Sequence, residues 1–412
     1  MVPQDSTFLG LPSELRLEIY SLYLSSHQAI IHGRQPSNEH IRLLHTSKQI
    51  YTEAAPIMCS YISLLYESQI DRFIASARKE TLERVRWVDA ANDGRLLKTV
   101  IGGKEQTVPL SRLHTALSKI SSLTHLRVFD CRQGLPISMQ LPPLLIYQVS
   151  SLALRQGSKS FTLAFEEAMF PSQLERRLLS YELYVSPATR VQAFKRITPV
   201  SLTTLRLSGE CQLPAENRMP ALRHVTLLSV TGNYFDRHTF SRCFGEADLK
   251  SFRYALGDRI AYEIRDDHLR SLCSGPGRNL QALVLIGCSR LSSGCLAACL
   301  ESLTQLRYLA ISVITVEEQR TNIVLSVPVS VSTFKLHVSN AWYASPLIGK
   351  ERGMCDAIQS HILVREPSPE TVSLHFRPLL TITEGRQAVW EDSARRNGIA
   401  LHVGPWEHEE VL

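Results

Sequence analysis

The pattern that most constrains this chain is a short one, Leu-x-x-Leu-x-Leu, which returns repeatedly from about residue 82 onward. The clearest copies are Leu123-x-x-Leu126-x-Val128-x-x-Cys131 and Leu280-x-x-Leu283-x-Leu285-x-x-Cys288, with Leu202/Leu205/Leu207 and Leu306/Leu309/Ile311 close behind. Looser copies are Val149/Leu152/Leu154, Leu178/Tyr181/Leu183, Leu222/Val225/Leu227, Leu249/Phe252/Tyr254 and Val331/Phe334/Leu336, and Leu82/Val85/Trp87 is a candidate start. Most successive copies lie ~20 to 31 residues apart, a period at which each unit supplies one short strand and a return segment. Alternate side chains of such a strand share one face. One unit cannot bury that face alone, so neighbours must stack into a parallel sheet. The expectation is therefore an α/β fold, with an irregular solenoid over residues 82–412. It would have a curved parallel sheet, outer helices, and a helical and strand cap at its C-terminal end. An irregular α/β domain with one open sheet is the alternative.

The segments between copies suit this picture. SSGCLAACLESL reads as a helix whose Leu296, Leu300 and Leu303 face inward. EGRQAVWEDSARRNG reads as another, capped by Thr383 and stopped by Gly398.

The residues before the repeats follow a different rule. In FLGLPSELRLEIYSLYL, Pro12 fits a first helical turn and Leu15, Ile19 and Leu22 recur at helical spacing. Ser26 to His40, with Gly33 and Pro36, reads as a loop. Beyond it Leu44, Ile50, Ala54, Ile57 and Tyr61 resume a helical pattern, and Pro56 predicts a break near Thr52. Three short helices over residues 8–66, joined to the repeats by a connecting helix over 67–81, are expected.

Leu11-Pro12, Glu14-Leu15-Arg16 and Ile19-Tyr20 resemble the opening of the F-box motif. Leu43-Leu44, Ser47, Gln49-Ile50-Tyr51 and Glu53-Ala54 resemble its closing part, in the variant common in fungal F-box-like proteins. The loop from Ser25 to His40 is longer than in compact F-boxes, and Ser47 and Tyr51 stand at typical Cys and Trp positions. Together with the repeats, the chain resembles the F-box/leucine-rich-repeat class of substrate receptors. That resemblance implies docking onto a Skp-type adaptor of a cullin–RING ubiquitin ligase. The contact would be Leu11, Pro12, Leu15, Ile19, Leu22, Leu44 and Ile50. The simpler alternative is a leucine-rich-repeat interaction scaffold in which these helices only seal the first repeat, because an end repeat leaves apolar core open.

The repeat strands also expose a second side. Positions alternating with the core leucines are His125 and Arg127, Arg155, Arg206, His224 and Arg253, then Ala282, Val284 and Ile286, Tyr308, Lys335 and His337. A basic lane followed by an apolar patch suits an unknown protein substrate that combines acidic or phosphorylated groups with an apolar anchor, since guanidinium forks pair with both anions. The candidate partner-binding residues are Arg127, Arg155, Arg206, His224, Arg253, Val284 and Ile286. Alternatively the arginines are merely solvated, and Val284 and Ile286 lie under a C-terminal segment.

Other functions are disfavoured. Net charge is +6, from 45 Lys and Arg against 39 Asp and Glu spread along the chain, without the basic stripe of a nucleic-acid binder. No apolar stretch reaches membrane-spanning length, and MVPQDSTF lacks the features of a secretory signal, so a cytoplasmic or nuclear protein with reduced cysteines is expected. Cys288, Cys295 and Cys299 lack zinc-site spacing, GGK at 102–104 lacks the upstream Gly of a phosphate loop, and no G-x-S-x-G or H-E-x-x-H occurs. No catalytic residue, metal or cofactor is expected. The terminal WEHEEVL reads as a solvated tail.

Overall fold

A computed structural model of the chain describes residues 8–30, 36–91, 95–101, 104–109, 111–129, 162–163, 165–170, 178–185, 187, 189–214, 218–257, 261–315, 320–341 and 343–410. It divides into two compact units, Met1–Thr198 and Pro199–Leu412. Both are α/β. Among the described residues no helix is long and apolar enough to cross a membrane.

In the first unit, helix α1 (Ser13–Gln28) starts directly after Pro12. A 3-10 turn, Glu39–His45, and helix α2 (Lys48–Met58) follow. Ser47 caps α2, its hydroxyl accepting from the Ile50 N–H at 3.1 Å. The break expected near Thr52 does not occur, and α2 runs through Pro56. That proline forfeits only the bond to the Thr52 carbonyl in the last turn, while buried Ala54, Ala55 and Met58 anchor the segment. Tyr61 is not helical either. It opens strand β1 (Tyr61–Leu64), which pairs in parallel with β2 (Trp87–Ala91). The span 8–66 is thus helical only up to Met58 and ends in a sheet strand, and two helices, Glu67–Ser76 and Lys79–Arg84, lead on from it.

The remaining strands of this unit are β3 (Arg95–Ile101), β4 (Lys104–Pro109), β5 (His125–Phe129), β6 (Thr162–Leu163), β7 (Ser180–Tyr184) and β8 (Arg190–Gln192). The path β1-β2-β5-β7 is parallel throughout. Strands β3, β4 and β6 pair antiparallel, with Ile101 opposite Lys104. Register aligns Val88 with Leu126 and Leu126 with Tyr181. The first copy of the pattern is therefore Val85/Val88/Ala90, three residues beyond Leu82/Val85/Trp87. All three of its residues are at most 1% exposed. The copy at Val149/Leu152/Leu154 lies outside the described residues.

The second unit contributes β9 (Thr204–Gln212), β10 (His224–Val230), β11 (Ser251–Ala255), β12 (Ala282–Cys288), β13 (Tyr308–Thr315), β14 (Thr333–Asn340), β15 (Thr371–His375) and β16 (Ala400–Val403). They are parallel and adjacent in chain order. Every pattern leucine or its substitute from Leu202 to Leu336 is no more than 2% exposed. Helices meet this leucine face, as where Phe240 packs against Phe252 of β11 with centroids 5.1 Å apart. Strict alternation would turn Cys288 to the other side. A register slip between Leu285 and Cys288, with Gly287 at φ +74°, returns it to the leucine face, fully buried. Leu296, Leu300 and Leu303 are buried as expected. The late helix runs Arg386–Arg396, entered through Gly385 at φ +68° rather than capped by Thr383, which ends a separate turn, Leu379–Thr383.

Candidate functional site

The two sides of α1 do different things. Arg16, Tyr20 and Leu24 form its buried side. Tyr20 and Leu24 join Leu44, Ile50, Ala54, Ala55, Met58 and Tyr61 in one apolar cluster that reaches the first strand. Arg16 ties α1 to α2 through a two-pronged pair with Glu53, at 2.9 and 2.6 Å, and donates to the carbonyls of Leu9 and Leu11. The guanidinium beside Glu53, helped by Gln49, holds that carboxyl down at about 2. The Leu11-Pro12 turn is thereby fixed in place. Leu44 and Ile50, at 6% and 8% exposure, serve this core and are not available as contact residues.

The opposite side of α1 is exposed among the described residues. Leu15, Ile19 and Leu22 are 47%, 41% and 63% exposed. Phe8, Leu9, Leu17 and Tyr23 are exposed as well, although Leu17 lies on the Leu24 side of the helix and the Phe8 ring packs on Tyr20; Pro12 is exposed too. Helical spacing explains the separation, because positions 15, 19 and 22 lie about 140° around the axis from 16, 20 and 24. A residue stripe this apolar normally faces a core. Here it faces outward.

The basic lane is less uniform than the sequence implied. Arg127 is not a surface residue. It forms a two-pronged ion pair with fully buried Asp89, at 2.7 and 2.6 Å, and its third nitrogen donates to the Gln28 carbonyl at 2.7 Å. Tyr61 and Trp87 complete the shell of Asp89, donating from Oη at 2.7 Å and Nε1 at 3.1 Å. A buried charge must be paired and hydrogen-bonded in this way. Arg127 therefore pins the end of α1 onto the sheet, and it cannot meet a partner. Arg155 lies outside the described residues. Arg206 and Arg253 are half-buried and His224 is exposed. Partial burial, followed by the charges of Arg223 and Arg253, lowers the basicity of His224.

Val284 and Ile286 are also covered, at 1% and 7% exposure. What covers them is the C-terminal segment. Trp406 packs against Ala255, Val284, Ile286 and Ala310, flanked by Leu228 and Tyr308. The terminal residues are thus no solvated tail. Glu407 accepts from Nδ1 of His375 at 2.6 Å and from His337. Glu410 takes Lys335 Nζ at 2.8 Å, Arg253 at 3.5 Å and the Tyr308 hydroxyl. Burial pushes the Glu407 carboxyl up, but the two imidazoles outweigh it and hold the group well below the usual carboxylate range. The alternative that Val284 and Ile286 lie under a C-terminal segment is thus the one the structure shows, whereas the individual ion pairs, such as Lys335 with Glu410 at a chain separation of 75 residues, left no mark in the sequence pattern.

Potential metal donors are few. Among the described residues His337, His375 and Glu407 bring ligand atoms within 4.8 Å of one another. Two atoms on one tetrahedral zinc lie about 3.3 Å apart, whereas His375 and Glu407 sit at hydrogen-bond distance, 2.6 Å. The cluster is a hydrogen-bonded clasp. Cys288, Cys295 and Cys299 are free and buried, with the Cys295 and Cys299 sulfurs 4.0 Å apart. No model of a known protein family matches this chain, and no curated protein matches it.

Proposed function

We propose that the chain is a non-catalytic substrate-recognition adaptor of a Skp–cullin–F-box type ubiquitin ligase. In this reading α1 binds a Skp-type adaptor protein through Leu15, Ile19 and Leu22 beside the Leu11-Pro12 turn. The repeat surface, an irregular leucine-rich-repeat solenoid, holds a protein target. The chain itself supplies proximity and specificity rather than chemistry.

The observation that carries this reading is the exposed apolar side of α1. If the helix served only as a cap, its apolar residues would be spent on the cluster around Tyr20 and Tyr61. Instead a second stripe, Leu15, Ile19 and Leu22, is exposed among the described residues, and exposed apolar patches mark interaction sites. The scaffold reading keeps support from the same cluster, because the buried side of α1 does seal β1. The test is capture by a Skp-type adaptor. Wild type should be retained, and Leu15→Glu/Leu22→Glu should lose at least tenfold in affinity with its helical signal unchanged. Absence of wild-type capture, under conditions that retain a known F-box protein, leaves the scaffold.

A further inference from the structure

The sheet face opposite the leucines in the second unit is built as a receptor and filled by the chain itself. One row across β11 to β14 reads Arg253, Val284, Ala310 and Lys335 in direct register. Small Ala255 and Ala310 leave the width that an indole needs, and Val284 and Ile286 wall it. Cations stand on either side of this slot. Lys335 Nζ lies 5.8 Å from the ring centre of Trp406, a distance at which an ammonium is drawn to the face of an indole. The two histidines stacked at 4.1 Å on β14 and β15 add a pair of donors.

We propose that this face is a binding site for a peptide segment bearing an aromatic residue followed one and four positions later by carboxylates, and that Trp406, Glu407 and Glu410 occupy it as an internal stand-in. The inference rests on the reading of this face as the target-binding surface. One observation distinguishes an exchangeable occupant from ordinary core: the segment supplies only the indole and two acids, while every cation and the whole apolar slot come from the sheet. The row also continues beyond Arg253 to Thr226 and Arg206, so a longer acidic segment meets further basic register. The chemistry of the partner follows: an acidic protein segment with a tryptophan or comparable aromatic anchor.

A fluorescently labelled peptide with the sequence of residues 404–412 is the probe, read by anisotropy against the full-length chain. Wild type should bind it weakly, because its own segment competes. Trp406→Ala should bind at least tenfold more tightly, and so should Glu407→Gln/Glu410→Gln, which loosens the segment while keeping the indole. Adding Lys335→Glu to either variant should return binding to the wild-type level. If neither variant, folded by circular dichroism, gains over wild type, the proposal falls. It also falls if Lys335→Glu has no effect. Retained peptide binding with failed adaptor capture removes the ligase reading alone, whereas the reverse result removes this site alone.

Discussion

Replacing Arg127 by Met separates a structural arginine from a surface one. The side chain is 5% exposed and its partner Asp89 is 0% exposed. Met matches the length of the aliphatic stem but leaves the carboxylate with only the Tyr61 hydroxyl and Trp87 N–H as donors. Breaking a buried pair from one side costs about 3–5 kcal/mol, because the remaining charge stays uncompensated. The loss of the guanidinium over the Trp87 ring, at 4.8 Å, acts in the same direction. With a urea dependence of about 2 kcal/mol/M, the midpoint of the first unit should fall by roughly 2 M. Arg253→Met is the control. Its pair with Glu410 is longer, at 3.5 Å, and its side chain is 42% exposed, so about 0–1 kcal/mol is expected. Urea unfolding followed by circular dichroism gives the magnitudes. Hydrogen exchange should localise the Arg127→Met loss to Trp87–Ala91, His125–Phe129 and the end of α1. A loss below about 1 kcal/mol for Arg127→Met, or equal losses for the two variants, would refute the reasoning that links burial to cost.

Two further outcomes are expected. Leu24→Ala, on the buried side of α1 at 6% exposure, should destabilise by about 2–5 kcal/mol, whereas Leu22→Ala, at 63%, should stay within about 0.5 kcal/mol in thermal unfolding. Glu166 is fully buried and accepts the backbone N–H groups of Phe194 and Arg196, at 2.5 and 2.6 Å, yet burial raises its carboxyl to about 7. The folded chain then holds a proton that the unfolded chain releases above 4.5, the ordinary value. Stability from this group is full below 4.5 and declines until the pH passes about 7, by about 3 kcal/mol in total. Glu166→Gln should flatten that part of the stability–pH curve, and an unchanged slope in urea titrations at pH 5 and 7 would contradict the assignment.

The sequence by itself determined the strand series. A leucine pattern of period two inside a longer repeat admits few solutions, and each predicted strand from Leu123 to Leu336 whose residues are described lies in the parallel path of its own unit. Local capping and glycine positions shifted boundaries by a few residues, as at Pro56 and Gly385, because neighbouring packing outweighs a single propensity. Strands β1, β3, β4, β6 and β8 carry no full copy of the pattern and are not predicted by it, while β15 and β16 fall in the expected helical and strand cap. What tertiary structure decided was which apolar and charged groups are covered. Sequence spacing placed Leu15, Ile19 and Leu22 on one stripe but could not say whether a core or water lay against it. Packing of Tyr20 and Leu24 answered that, by taking the other side of the helix. The same holds for Arg127, whose partner Asp89 stands on the neighbouring strand. It holds most of all for Val284 and Ile286, which the C-terminal Trp406 closes from far along the chain. Periodicity reports the local geometry of the backbone, whereas burial depends on which distant segment arrives.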